Sequence, residues 1–134
     1  MDLDKLKELL PSHTSGYFAT IDGNKPDLRG WQFQIIENGK IHFATSYLKN
    51  VYKQMQENPN VAFACDVNGY YFRIYGKATF VTDKATMEKL HATHDPQILT
   101  LYPTIDDNGY AVFCLEHGEV KYAKGFVPFK SFTF

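Results

Sequence analysis

The sequence predicts a mainly β protein: a closed or split antiparallel barrel with two to four peripheral helices, formed by one domain over residues 1–134. Short runs of alternating apolar and polar residues are separated by tight-turn signals such as Asn68-Gly69. Aromatic residues, which favour strands, make up 16% of the chain. Strands at hairpin spacing are not the units of a parallel, doubly wound sheet. A chain of this length suits one hydrophobic core rather than two.

The first elements are a short helix and two strands. Leu3, Leu6, Leu9 and Leu10 share one helical stripe, which Pro11 ends. The next two runs have the pattern of strands joined by a tight turn at Gly23-Asn24: SGYFATID and PDLRGWQFQII. In the second run apolar residues alternate with glutamines, which predicts one apolar and one polar face.

A third strand, KIHFAT, leads into the second predicted helix. From Tyr47 to Asn58 the apolar residues follow a helical period, and Asn58-Pro59 ends the segment. We expect this helix to open with Thr45-Ser46 and to carry Lys49 in its first turn. Hydroxyl side chains and free N–H groups at such a start favour phosphate binding.

The second half repeats the strand pattern around one more helix. NVAFACDV and YYFRIYGKATFV form a predicted hairpin whose second strand bends at Gly76. Thr82-Asp83 caps a helix that ends near Pro96. GYAVFCLEH and EVKYAKGF are the last predicted pair, with a turn at His117-Gly118. The aromatic tail VPFKSFTF is expected to pack on the barrel or on a partner subunit.

Composition narrows the classes of function. A net charge of −1 disfavours broad binding of nucleic acid or anionic lipid. Cys65 and Cys114 lie in apolar runs and indicate a reducing compartment. With neither a signal peptide pattern nor a membrane-spanning run, we expect a cytoplasmic protein. A barrel that binds single strands through Tyr17, Tyr70 and Phe72 remains an alternative that the near-neutral charge opposes.

Motifs of catalysis and metal binding are weak in this sequence. It contains no G-x-S-x-G, no glycine-rich phosphate loop and no C-x-x-C, so the catalytic residues stay unknown. His91 and His94 are three residues apart, a spacing compatible with a metal, but a solvated helix end near Pro96 is the preferred interpretation. Residues 106–109 (DDNG) are interpreted as a turn rather than a calcium loop. No metal site is predicted.

The remaining candidate is a site for a phosphorylated ring. Arg29, Ser46 and Lys49 are each compatible with ordinary surface or capping roles, but together they predict a place for a phosphate. Gln32 and Gln34 follow Arg29 on the polar face of the same strand, where amides could pair with a heteroaromatic ring. FMN combines both features.

The order of these segments resembles the pyridoxamine 5′-phosphate oxidase-like, FMN-binding split β-barrels. GYFATIDGNKPDLRGWQF, GKIHFATSYLKNVYKQMQENPNVAF and YGKATFVTD carry the resemblance over nearly the whole chain. The sequence looks closest to small bacterial members related to nitroimidazole-resistance proteins. The resemblance implies a homodimer with the flavin site at the subunit interface. It also implies a set of FMN-binding residues: Arg29, Gly30, Trp31, Gln32, Ala44, Thr45, Ser46, Lys49 and Asn50.

The resemblance further implies a flavin reductase or nitroreductase-like oxidoreductase, which passes electrons or hydride from NAD(P)H to a small acceptor. Gln34 stands where the vitamin B6 oxidases carry a lysine, and the tail lacks their Arg-x-His element. Pyridoxamine phosphate oxidation is therefore not expected. A non-catalytic carrier of flavin or haem on the same barrel is the alternative, because no residue stands out as an acid or base.

Overall fold

The computed structural model describes residues 1–134 and contains one eight-stranded antiparallel sheet and four helices. The elements, in chain order, are α1 (Leu3–Leu9), β1 (Ser15–Asp22), β2 (Lys25–Gln32), β3 (Ile35–Glu37), β4 (Lys40–Ser46), α2 (Asn50–Glu57), β5 (Asn60–Val67), β6 (Tyr70–Phe80), α3 (Lys84–His91), α4 (Pro96–Leu101), β7 (Tyr110–Lys124) and β8 (Lys130–Thr133). The predicted fold class is confirmed. No helix is both long enough and apolar enough to cross a membrane.

The sheet runs in the order β2-β1-β5-β6-β7-β4-β3, with β8 added to β7. Its two ends, β2 and β3, are consecutive in the chain, so the predicted single strand PDLRGWQFQII is wrong. The chain bends at Phe33 and Gln34 because their N–H groups donate to opposite ends of the sheet, to the carbonyls of Thr14 and His42. This corner brings the sheet round into a barrel.

One further strand prediction is corrected at the C-terminal end. β7 is one continuous strand of 15 residues, not a hairpin turning at Gly118. Its first half pairs with β4 and its second half with β8, while β6 runs along both halves. A Cβ at Gly118 would meet the carbonyl oxygen of Tyr75, so the glycine permits close strand pairing instead of a turn. The end of the aromatic tail packs on its own barrel as β8, whereas Val127 and Phe129 before it are exposed.

Aromatic side chains fill the barrel. The six largest fully buried residues are all phenylalanines: Phe18, Phe33, Phe43, Phe63, Phe72 and Phe113. Trp31 stacks on Phe18 at a centroid distance of 4.9 Å and so lies at the margin of this core. A second, smaller core forms where α3, α4 and the start of β7 meet outside the barrel; its buried members are Leu90, Tyr102, Ile105, Tyr110 and Val112.

Candidate functional site

A cavity of about 170 Å³ lies between β2, β4 and the chain around α4. Six of the nine residues implied in cofactor binding line it: Gly30, Trp31, Gln32, Ala44, Thr45 and Lys49. The corner between β2 and β3 adds Gln34, and the α4 region adds His94, Ile98, Leu101 and Tyr102. The cavity therefore joins the predicted strand residues to a wall that was not predicted.

Unpaired polar atoms concentrate at this cavity. The structure contains four buried side-chain polar atoms without a hydrogen-bond partner, and three of them belong to cavity-lining residues. They are Gln34 Oε1, Thr45 Oγ1 and His94 Nδ1, and we call these residues the cavity cluster. Since buried polar groups in native proteins are nearly always paired, such a concentration is typical of a ligand site.

The Gln34 side chain is held by α3 and the turn after it. Its Nε2 donates to the carbonyl of Leu90 at 2.8 Å and to Thr93 Oγ1 at 3.1 Å. These two bonds use both amide protons and leave the carbonyl oxygen, an obligatory acceptor, without a partner. The predicted placement of Gln34 on the polar face of one continuous strand is wrong, because Gln34 lies in the corner between β2 and β3 and is 2% exposed.

His94 is buried, contrary to the predicted solvated helix end. Its Nε2 lies 2.8 Å from the hydroxyl of Tyr110, and only 8% of the residue is exposed. Burial, together with the nearby imidazoles of His91 and His13, lowers its pKa from 6.5 to about 4. The prediction failed because Pro96 begins α4, with Asp95 as its N-cap, instead of ending the fold's helical region.

α4 is anchored to β2 across the cavity. Gln32 Nε2 donates to Asp95 Oδ2 at 3.0 Å, while the other carboxylate oxygen accepts from the N–H of Ile98 at 3.1 Å. The latter bond is the main cause that lowers the pKa of Asp95. Gln32 therefore positions the cavity wall, and its amide protons are not all free for a ligand.

Arg29 does not line the cavity. Its guanidinium donates to Asp27 Oδ2 at 2.8 Å, to Thr20 Oγ1 at 2.9 Å and to Gln54 Oε1 at 3.2 Å. Gln54 also donates to Asp27, which lowers the pKa of that carboxyl. We call these four residues the Arg29 cluster; their polar groups satisfy one another, and the nearest anion to Arg29 is a protein carboxylate.

The helix start differs from the prediction. Thr45 and Ser46 end β4, and α2 begins at Asn50 with Lys49 as its N-cap residue. Ser46 Oγ donates to the carbonyl of Asn108 at 2.7 Å and accepts from the N–H of Leu48, which stabilises a turn instead of the helix. Ser46 and Asn50 are consequently absent from the cavity wall, whereas Lys49 lines it and forms no ion pair.

Comparison with known proteins decides the family. The sequence profile described as pyridoxamine 5′-phosphate oxidase matches residues 3–122. The chain belongs to this family. No curated protein matches the sequence.

Solved structures share the fold of this pyridoxamine 5′-phosphate oxidase family member. A NimC/NimA family protein from Clostridium acetobutylicum superposes with a TM-score of 0.83 at 23% identity, over 98% of this chain and 92% of that one. A pyridoxamine 5′-phosphate oxidase-related, FMN-binding protein from Nostoc punctiforme gives 0.69 at 13% identity, over 96% and 91%. A heme-binding protein from Mycobacterium smegmatis gives 0.75 at 16% identity, over 95% of this chain and 55% of that one.

Sequence reasoning missed the wall that α4 contributes to the site of this family member. His94 and Tyr102 come from the segment on either side of α4, far in sequence from β2 and β4. One local signal was available, because an Asp-Pro pair is a typical N-cap and first helical residue. It predicts a helix at Pro96, but it does not say that the helix folds back over the barrel.

Proposed function

We propose that this protein is an FMN-dependent oxidoreductase that transfers electrons or hydride from NAD(P)H to a small acceptor, as flavin reductases and nitroreductases do. The observation that carries the proposal is that three residues lining one cavity beside Trp31 each keep a buried polar atom unpaired. Membership of the pyridoxamine 5′-phosphate oxidase family and the FMN-binding relative from Nostoc punctiforme support it. Pyridoxamine phosphate oxidation itself is not proposed.

The cavity cluster suits the edge of a flavin ring. That edge presents an N–H donor between carbonyl acceptors, and the cluster offers both complementary types. Gln34 Oε1 can only accept, whereas the hydroxyl of Thr45 can donate. Trp31 supplies an aromatic wall with which a planar ring can make extensive apolar contact.

Fewer residues of the cavity are free to bind the phosphate of FMN. Lys49 lines the cavity, is exposed and forms no ion pair, so its ammonium group is free for an anion. Arg29 would reach a phosphate only by exchanging it for Asp27, its partner at 2.8 Å. The proposed phosphate contact of Arg29 therefore competes with an internal carboxylate.

When bound, FMN would supply the redox chemistry at its isoalloxazine ring. The chain's own residues would bind and orient it: Gln34 and Thr45 by hydrogen bonds, Lys49 by charge. Trp31 and the α4 side chains Ile98 and Leu101 would limit the access of water to the ring. Gln32 would keep α4 in place through Asp95.

We further propose that the protein acts as a cytoplasmic homodimer with the flavin at the subunit interface. Leu101, which lines the cavity, is 58% exposed, and Leu48, beside Lys49 in sequence, is 72% exposed. Apolar side chains so close to a ligand site favour a cover by another surface. Light scattering of the protein as it elutes from a size-exclusion column should give twice the chain mass of 15.4 kDa.

The decisive experiment uses the purified protein mixed with FMN. Binding should shift the flavin's absorption bands and quench its fluorescence, NAD(P)H should bleach the bound flavin, and a small acceptor should restore the colour. Flavin that binds but stays oxidised under excess NAD(P)H would overturn the oxidoreductase proposal. Failure of FMN to bind would overturn the cofactor as well.

A non-catalytic carrier of flavin or haem is the second candidate. The imidazole in the cavity, His94, is neutral at pH 7 because its pKa lies near 4, so it is not a ready proton donor. The relative from Mycobacterium smegmatis binds heme on this fold. An absorption spectrum separates the cases, because haem gives a Soret band whereas flavin gives one near-ultraviolet and one blue band.

A further inference from the structure

The buried pair of His94 and Tyr110 stands out at the cavity, because the proposed function gives neither residue a contact with the flavin. The Tyr110 hydroxyl has one hydrogen-bond partner, His94 Nε2, at 2.8 Å. Both residues are more than nine-tenths buried, and His94 lines the cavity while Tyr110 lies behind it in the second core. Nδ1, the other ring nitrogen of His94, is unpaired.

Hydrogen-bond accounting assigns the tautomer of His94. If Nε2 carried the proton, it would donate to Tyr110, and the buried phenolic O–H would then have no acceptor. If Tyr110 donates to Nε2, both of these groups are satisfied, and the imidazole proton lies on Nδ1. Burial raises the pKa of Tyr110 further above its usual 10, so its hydroxyl keeps the proton that this bond requires.

The surrounding groups keep the His94 ring neutral. His91 and His13 each donate from Nε2 to a backbone carbonyl, Tyr102 O at 2.6 Å and Thr93 O at 2.9 Å. Burial lowers the pKa of His94 most, the imidazoles of His91 and His13 lower it further, and the Asp95 carboxylate acts in the opposite direction. A neutral imidazole with a fixed tautomer is a directional hydrogen-bond donor.

We propose that His94, with its proton held on Nδ1 by Tyr110, donates a hydrogen bond to the ligand of the cavity. This inference rests on the proposed flavin site and adds a contact to it. Gln34 Oε1 accepts and His94 Nδ1–H donates, so the wall suits a planar ring that carries an N–H and a carbonyl or ring nitrogen on one edge. Tyr110 is then a positioning residue, because it acts on the ligand only through His94.

The tautomer is tested without any ligand. In a long-range ¹H–¹⁵N spectrum of the ¹⁵N-labelled protein at pH 7, His94 should show a protonated Nδ1 and an unprotonated Nε2. Tyr110→Phe removes the hydroxyl and should give a mixture of both tautomers. A wild-type spectrum with the proton on Nε2 would overturn the proposal outright.

The donated bond is tested by titrating FMN and lumiflavin, which lacks the phosphate, into three proteins. His94→Leu removes the donor and should weaken both ligands about 3- to 10-fold, the range of one hydrogen bond. His94→Asn places an amide N–H near the position of Nδ1 and should stay within about twofold of the wild type. Thermal melts establish that each variant is folded before it is titrated.

The outcomes separate this inference from the proposed function. Binding that weakens in His94→Leu and recovers in His94→Asn supports the donor, even if NAD(P)H never reduces the flavin. Equal affinity in all three proteins would overturn the donor while leaving FMN binding intact. Absence of flavin binding in the folded wild type would overturn both, whatever tautomer the spectrum shows.

Discussion

Two clusters of polar side chains include or adjoin residues of β2, and they differ in how completely the protein satisfies them. In the cavity cluster, Gln34, Thr45 and His94 each keep one buried polar atom unpaired. In the Arg29 cluster, the guanidinium is occupied by Asp27 and by two neutral side chains. An unpaired buried group costs about 1–3 kcal/mol, so the first cluster would gain hydrogen bonds from a ligand, whereas the second is complete without one.

The largest expected effect concerns acid stability at the cavity cluster. The pKa of His94 is about 4 in the folded protein and near 6.5 when unfolded, so the unfolded state binds more protons between these values. Stability should be complete above pH 6.5 and fall by about 2–3 kcal/mol as the pH drops to 4. Urea titrations at a series of pH values measure this loss.

The control for this prediction is His94→Asn, which cannot titrate. Its stability should be nearly flat over the same window, apart from a share from His42, whose pKa burial also lowers. A slope unchanged from the wild type would show that His94 is accessible to protons in the folded state.

Arg29 gives the next largest effect and tests whether its cluster opens for a ligand. Arg29→Ala should lower FMN affinity by an amount on the order of 1 to 3 kcal/mol, because a charge-assisted phosphate contact is lost. Lumiflavin affinity should not change. Asp27→Asn removes the carboxylate that competes with the phosphate for Arg29, so it should strengthen the binding of FMN but not of lumiflavin. Equal losses for both ligands in Arg29→Ala would mean that the arginine only supports the fold.

The sequence could predict site residues that local patterns place, but not those whose position depends on partners distant in the chain. The sequence could predict the strand positions of Gly30, Trp31, Gln32, Ala44 and Thr45. The strand patterns, together with the order of segments shared with the family, place these residues on β2 and β4. The start of α2 could not be predicted, because Ser46 Oγ donates to the carbonyl of Asn108, 62 residues away in the chain. The burial of His94 likewise depends on Tyr110, a partner that no local pattern near α3 reveals.

Lys49 gives a smaller effect at the mouth of the cavity. Lys49→Ala should weaken FMN by about 1 kcal/mol and leave lumiflavin unchanged, because an exposed ammonium contributes mainly charge. The loss should shrink as salt is added to the titration. Lys53→Ala is the matched control, since Lys53 is an exposed lysine of α2, four residues after Lys49, that does not line the cavity. Equal losses in the two variants would indicate general attraction instead of a contact.

The smallest effect compares one threonine from each cluster, both almost fully buried. Thr20 Oγ1 pairs with Gln54 and Arg29, so Thr20→Val should destabilise the protein by about 1 kcal/mol. Thr45 Oγ1 is unpaired, so Thr45→Val should stabilise the ligand-free protein by about 0.5–1 kcal/mol and weaken lumiflavin. Urea unfolding measures the change in stability, and flavin titration measures the change in lumiflavin affinity. A loss of stability in Thr20→Val together with a gain in Thr45→Val would locate the ligand site by thermodynamics alone. A loss in Thr45→Val that matches the one in Thr20→Val would show that the Thr45 hydroxyl is already satisfied within the fold.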